Sequence, residues 1–225
     1  MDVLTRLRLS TRSAHERMEK LPALARLFAD DYRRSELAEL LTKMLNVHDP
    51  LEAVLSQTDE AERIGYRPRA PLIRESLLQL GQTPAALSRA GCVEAESPMR
   101  FTEELNPSLL NKVEDDSDIR SGRVRVDPMS SRSNGPTPVF TSPAARFGGL
   151  YVLEGSALGG QLIRRRLLSL FGETIEPALS FYAPYGDDAG PHWQNFCTIL
   201  KSAITEETAM LEVEAAALAT FAMFG

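Results

Sequence analysis

Of the chain's three histidines, His15 has the neighbours that chemistry would need. A lone histidine on an apolar helix face is most often a packed boundary residue, but Glu19 stands at i+4, one turn further along the same face. A carboxylate placed there reaches the second imidazole nitrogen, directly or through water. It fixes the tautomer and leaves the other nitrogen to donate its lone pair to a metal. Arg8, seven residues before His15 and two turns along that face, would put a cation where a carboxylate of the same ligand could be met. The competing reading is an exposed i,i+4 pair, Arg12 with Glu16 or His15 with Glu19, contributing roughly a few tenths of a kcal/mol.

The second constellation is Gly155-Ser156-Ala157-Leu158-Gly159-Gly160. Each glycine inside a helix costs about 1 kcal/mol relative to alanine, so the five between Gly148 and Gly160 need a reason. Glycines strip side chains from a patch of helix, letting its backbone approach a flat ligand or another helix. In the helix-packing reading, Gly155 and Gly159 are the contact pair. His48 and His192 stay without a ligand role, because the prolines near them, Pro50 and Pro191, suggest helix breaks.

The elements that must position these groups are helical. Leu4, Leu7, Thr11, Ala14, Met18 and Leu21 recur at steps of three and four, forming one stripe of a helix that Pro22 ends. A second helix starts after Asp31 or Ser35, with Leu37, Leu40, Leu41, Met44 and Leu45 inward, and Pro50 kinks or breaks it before Leu51 to Leu55. A third runs Leu72 to Leu80 and is closed by Gly81. Ser142-Pro143 is an N-cap followed by proline at the first helical position, opening the glycine-rich helix with Leu150, Leu153, Leu158 and Ile163. After the aromatic loop Phe181 to Gly186, two last helices cover Gly190 to about Glu206 and Glu207 to Phe224.

Between about Glu94 and Thr141 the composition shifts to Ser, Pro, Asn, Gly and Asp, with the acidic run Glu114-Asp115-Asp116. This reads as a long, weakly ordered insertion at 94–141, with short helical turns at 98–105 and 109–113, in an otherwise single all-α domain over residues 1–225.

Bulk properties bound the function. With 43% hydrophobic and 25% charged residues the composition is that of an ordinary globular protein, so the class rests on pattern. A net charge of −6 argues against nucleic acid. Arg164-Arg165-Arg166 spans most of a helical turn, so its members cannot share one ligand, and it reads as a solvated face with one or two useful arginines. Cys92 and Cys197 have no metal-ligand spacing and suit a reducing cytoplasm. The N-terminus lacks the apolar stretch of a secretory signal, and Asp2, Glu16 and Glu19 count against a transit peptide. The apolar run Ala215 to Phe224 is far short of the roughly 20 residues that span a bilayer and reads as a packed terminal helix. These features lead us to expect a cytoplasmic, membrane-free protein, monomeric because no large apolar stripe is left unclaimed.

The segment from Leu7 to Glu19 resembles the proximal helix of haem oxygenases. Leu150-Tyr151-Val152-Leu153-Glu154-Gly155-Ser156-Ala157-Leu158-Gly159-Gly160 resembles their distal helix, in the form found in bacterial, phytochrome-associated members. Tyr182-Ala183-Pro184-Tyr185-Gly186 and Trp193-Gln194-Asn195-Phe196 are similar to the downstream stretch of that group, so the resemblance covers roughly residues 1–92 and 140–224.

The resemblance implies a multi-helical bundle with haem between the first and the glycine-rich helix. His15 would be the axial iron ligand and Glu19 its partner, with Arg8, Thr11 and Tyr151 among the haem-binding positions. Gly155, Ser156, Gly159 and Gly160 would form the distal, catalytic side. Gln194 and Thr198 fall where mammalian relatives carry Lys and Arg for the haem propionates, so that clamp is altered. Ser156 stands where many relatives carry a water-organising aspartate, although the phytochrome-associated group has serine there too. Glu154 cannot replace it, being about 200° around the helix. The activity implied is oxygen-dependent cleavage of haem to biliverdin, carbon monoxide and ferrous iron, with electrons from a ferredoxin or reductase and a bilin-binding phytochrome as a natural partner. Two other readings share these residues: a haem-binding or haem-sensing protein without turnover, and a helical interaction protein without haem.

Overall fold

Asp2 opens the first helix: its side chain accepts a hydrogen bond from the Leu4 N–H at 3.0 Å, and α1 runs Val3–Glu19. The computed structural model describes residues 1–83 and 140–224, which fall within one packed unit. The expected insertion, its short helical turns and Cys92 lie outside the described residues, apart from 140 and 141. Phe140 is buried and packs under Gly149.

The stripe read along α1 is its buried face, with Val3, Leu4, Leu7, Thr11 and Ala14 inward. Pro22 starts a short helix α2, Pro22–Ala25, followed by a 3-10 turn, Arg26–Phe28. Helix α3, Arg34–Leu55, opens with the Glu36 carboxylate accepting from the Arg33 N–H at 2.8 Å. Pro50 does not break it. The proline is on the exposed side, as is Asn46, whose carbonyl loses its helical donor and can take water instead.

Helix α4, Asp59–Ile64, was not expected; Thr58 caps its start, and Gly65, at φ 67°, closes it in the left-handed region that glycine favours. Helix α5 runs Ala70–Gln79 and is followed by Gly81 at φ 83°. Helix α6, Pro143–Phe171, begins as read, with Ser142 Oγ accepting from the Ala145 N–H at 3.1 Å. A 3-10 stretch, Glu173–Tyr182, and a short turn, Gly186–Asp188, lead to α7, Ala189–Ala203, and α8, Glu207–Ala222. The described residues are all-α, without a strand, and none of their helices is long and apolar enough to cross a membrane.

Helix α6 organises the packing. On one side Leu7, Phe147, Leu150, Phe196, Leu200 and Val213 form a core shared by α1, α6, α7 and α8. On the other, Leu37, Leu41, Ile73, Leu77, Leu167 and Leu179 join α3 and α5 to the far half of α6 and the 3-10 stretch. Fully burying each such side chain contributes about 1.5–3 kcal/mol, so these two clusters hold the helices that border the site.

A cleft bordered by the first helix and the glycine-rich helix

A cavity of about 470 Å³ is walled by residues from both core clusters, with His15 from α1 and Gly155, Ser156, Gly159 and Gly160 from α6 among them. Its volume lies in the range of small-molecule and cofactor sites. His15 Nδ1 stands 3.3 Å from Glu19 Oε1, and the ring meets Phe221 edge-on with centroids 6.0 Å apart. Glu19 thus lies on the Nδ1 side of the ring, and the His15 side chain, 55% exposed, is accessible from the cleft.

The glycines divide between the two roles weighed for them. A Cβ at Gly148 would run into the Val213 carbonyl oxygen and stand 2.8 Å from Ala216 Cβ, so this position lets α6 and α8 approach. A Cβ at Gly149 would stand 2.7 Å from the Phe140 ring, and one at Gly160 2.6 Å from the Tyr182 carbonyl oxygen. A Cβ at Gly159 would meet nothing within 4 Å, and one at Gly155 would make only ordinary contact, 3.7 Å, with Trp193. The close contacts therefore fall to Gly148, Gly149 and Gly160, and the pair expected for helix packing, Gly155 and Gly159, borders the cleft instead.

Thr11 and Tyr151 also wall the cleft. Thr11 is buried and donates to the Leu7 carbonyl at 2.6 Å. Burial pushes the Tyr151 phenol above its usual range, and its ring lies 5.8 Å from that of Trp193. Arg8, Gln194 and Thr198 are exposed and are not among the wall residues. The Thr198 hydroxyl donates to the Gln194 carbonyl at 3.0 Å, within α7. Of the arginine triplet, Arg164 pairs with Glu176, while Arg166 holds Asp30 and the carbonyls of Phe28 and Ala29 beside the cleft.

Sequence reasoning missed a buried polar cluster behind this wall. Glu52, on α3, accepts from Tyr66 OH at 2.7 Å and from the N–H groups of Arg69 and Ala70 at 2.8 and 2.9 Å, and lies 3.2 Å from His48 Nδ1. Burial raises its pKa, but these bonds outweigh burial and hold it below the ordinary carboxylate value. His48 is 2% exposed, walls the cleft between Phe181 and Phe224, and has its pKa lowered by burial. Glu154 accepts from Arg69 Nη2 at 3.3 Å and Tyr185 OH at 2.8 Å, and His192, stacked on Tyr185, stands 2.9 Å from its other oxygen. The signal that could have found Glu52 and Glu154 is an acidic residue within an apolar helical run, which implies a buried partner.

Residues 1–81, which contain His15, Glu19 and helices α1 to α5, match the family described as "Heme oxygenase". A protein named "Heme oxygenase" from Xanthomonas campestris pv. campestris (strain 8004) is 36% identical over 90 residues, covering 39% of this chain and 52% of that protein. The chain thus spans about half the length of the curated relative it matches.

Proposed function

We propose that this chain, whose residues 1–81 match the haem oxygenase family, binds haem in the cleft through His15 and oxidises it to biliverdin, carbon monoxide and ferrous iron. The observation that carries the reading is that one cavity is walled both by His15, with Glu19 Oε1 3.3 Å from its Nδ1, and by the glycine backbone of α6. The residues suit the ligand. A planar porphyrin needs a wall free of side chains, which Gly155 and Gly159 provide, and its iron takes an imidazole nitrogen, which His15 would supply. Bound haem supplies both the iron that activates oxygen and the carbon skeleton that is oxidised.

The protein's part is to position and exclude. Leu27, Phe181, Phe221 and Phe224 give the cleft apolar walls that keep bulk water from the reacting face. Ser156, exposed to the cleft, offers the hydroxyl that holds an ordered water for proton delivery. Electrons come from an external ferredoxin or reductase, and a bilin-binding phytochrome is a consumer of the product.

The test is the absorption spectrum of the protein with equimolar haem, followed in air after addition of a ferredoxin reductase system, beside His15→Ala. A histidine-ligated band that decays into a broad red-absorbing bilin band is expected. A stable band would leave haem binding without turnover, and a spectrum indifferent to His15 would overturn the haem reading altogether.

A further inference from the structure

Arg69 is 1% exposed and yet is one of the residues walling the cleft. Its Nη1 donates to the Leu153 carbonyl and, at 3.1 Å, to Ser156 Oγ. Ser156 spends its own proton on the same Leu153 carbonyl at 2.7 Å. A hydroxyl has one proton and two lone pairs. With the proton committed and one lone pair taken by Arg69, Ser156 faces the cleft as an acceptor. That is the polarity an aspartate would have had at this position.

The charge behind it is also oriented. Glu154, 1% exposed, pairs with Arg69 but is not a wall residue, so the buried pair turns its positive end toward the cleft. Arginine does not lose its proton, so Arg69 cannot relay one and acts as a fixed charge. Arg69 Nε and Glu154 Oε2 are buried without hydrogen-bond partners, and His192 Nε2, though 2.9 Å from Glu154 Oε2, is not aligned to bond it. The cluster thus retains unsatisfied polar capacity, as expected of a group kept for its field rather than for stability alone.

We infer that Arg69 is a positioning residue for small anionic ligands in the cleft: it presents the positive end of the Arg69–Glu154 pair to the ligand, and it fixes Ser156 as the acceptor for a water whose other proton can be donated to that ligand. The inference rests on the haem reading and deepens it, since any negative charge developing beside the iron would lie in this field. In a buried setting such a charge acts with little screening by salt.

The test compares an anion with a neutral ligand. Fluoride is titrated into the ferric haem complex and carbon monoxide into the ferrous one, for wild type, Arg69→Met/Glu154→Gln, Arg69→Lys and Glu154→Gln. The double variant removes both charges together, which avoids a lone buried charge. Its fluoride affinity should fall by about tenfold while carbon monoxide affinity stays within about twofold. Arg69→Lys, which keeps the charge, should restore fluoride to within about threefold. Glu154→Gln preserves the acceptor for Tyr185 and Arg69 but removes the opposing charge, so fluoride affinity should rise by about threefold. That sign reversal does not depend on the double variant folding. Fluoride and carbon monoxide falling together, or fluoride weakening in Glu154→Gln, would overturn the inference. Wild-type protein that forms no His15-dependent haem band would overturn the haem reading and this inference with it.

Discussion

Gly160 lies against the carbonyl of Tyr182: a Cβ at 160 would stand 2.6 Å from that oxygen, whereas one at the neighbouring Gly159 would meet nothing within 4 Å. Two adjacent glycines of one helix therefore serve different ends. Gly160→Ala should destabilise the protein by about 1–3 kcal/mol, because backbone cannot move aside as a side-chain tip can. Gly159→Ala should leave stability unchanged or raise it by up to about 1 kcal/mol, since alanine is the better helix former. On the proposed haem reading the order reverses at the site, where Gly159→Ala should weaken the complex by intruding on the face offered to the porphyrin. Urea unfolding of both variants without haem checks the first claim; equal losses would contradict it.

The buried pair of His48 and Glu52 sets an acid limit on stability. His48 is held below its ordinary value of 6.5, so the unfolded chain takes up this proton first and stability falls as pH drops below about 6.5. Glu52 is held below 4.5, so its contribution is present above 4.5 and is lost as pH falls through the lower folded value. The two losses share a sign and follow one another. Unfolding free energy measured from pH 8 to about pH 2 should decline in two limbs, the second beginning below 4.5, and His48→Gln should flatten the upper one. An upper limb unchanged in that variant would assign it to another group.

Arg166 ties down the turn whose Leu27 and Phe28 border the cleft. Its Nη2 reaches the carbonyls of Phe28 at 3.2 Å and Ala29 at 3.1 Å, as well as Asp30 at 2.9 Å. Asp30 is fully exposed, so the ion pair adds little, and Asp30→Ala should change stability by less than about 0.5 kcal/mol. The two carbonyls are different, because they would lose a charged donor. Arg166→Ala should cost about 1–3 kcal/mol and loosen Leu27 and Phe28, which wall the cleft. Hydrogen exchange at residues 26–30 in the two variants separates the contributions, and equal protection in both would refute the distinction.

Much of this fold was legible in the sequence because long amphipathic helices advertise themselves. The α1 stripe, the Ser142-Pro143 start of α6 and the Gly81 stop after α5 are local signals, and each stands where it was read. Helices α2 and α4 span four and six residues, too few for a period to emerge. The site was half legible. His15 and Glu19 declare themselves by spacing on one helix, but Arg69, Glu52 and Glu154 meet only through tertiary packing, and Arg69 sits in a connection with no pattern to mark it. His48 was passed over because Pro50 suggested a break, yet a proline on the solvent side leaves the inner face of α3 intact. Which glycines pack and which face a ligand depends on neighbours that sequence spacing does not reveal.

Trp193 offers an optical check that does not depend on turnover. It is the chain's single tryptophan, it walls the cleft, and it stacks on Phe196 with centroids 5.3 Å apart. Haem absorbs strongly and quenches tryptophan emission over long distances, so quenching alone would not locate the ligand; its stoichiometry and dependence on His15 carry the information. Emission should fall along a sharp line that ends at about one equivalent of haem if, as proposed, the cleft takes one porphyrin. His15→Ala removes the proposed iron ligand but none of the ring contacts of Trp193, so its emission without haem should match wild type. Its titration should instead be shallow, needing about tenfold more haem for half quenching. Shallow titrations for both proteins would mean that haem adsorbs to apolar surface rather than entering the cleft through His15.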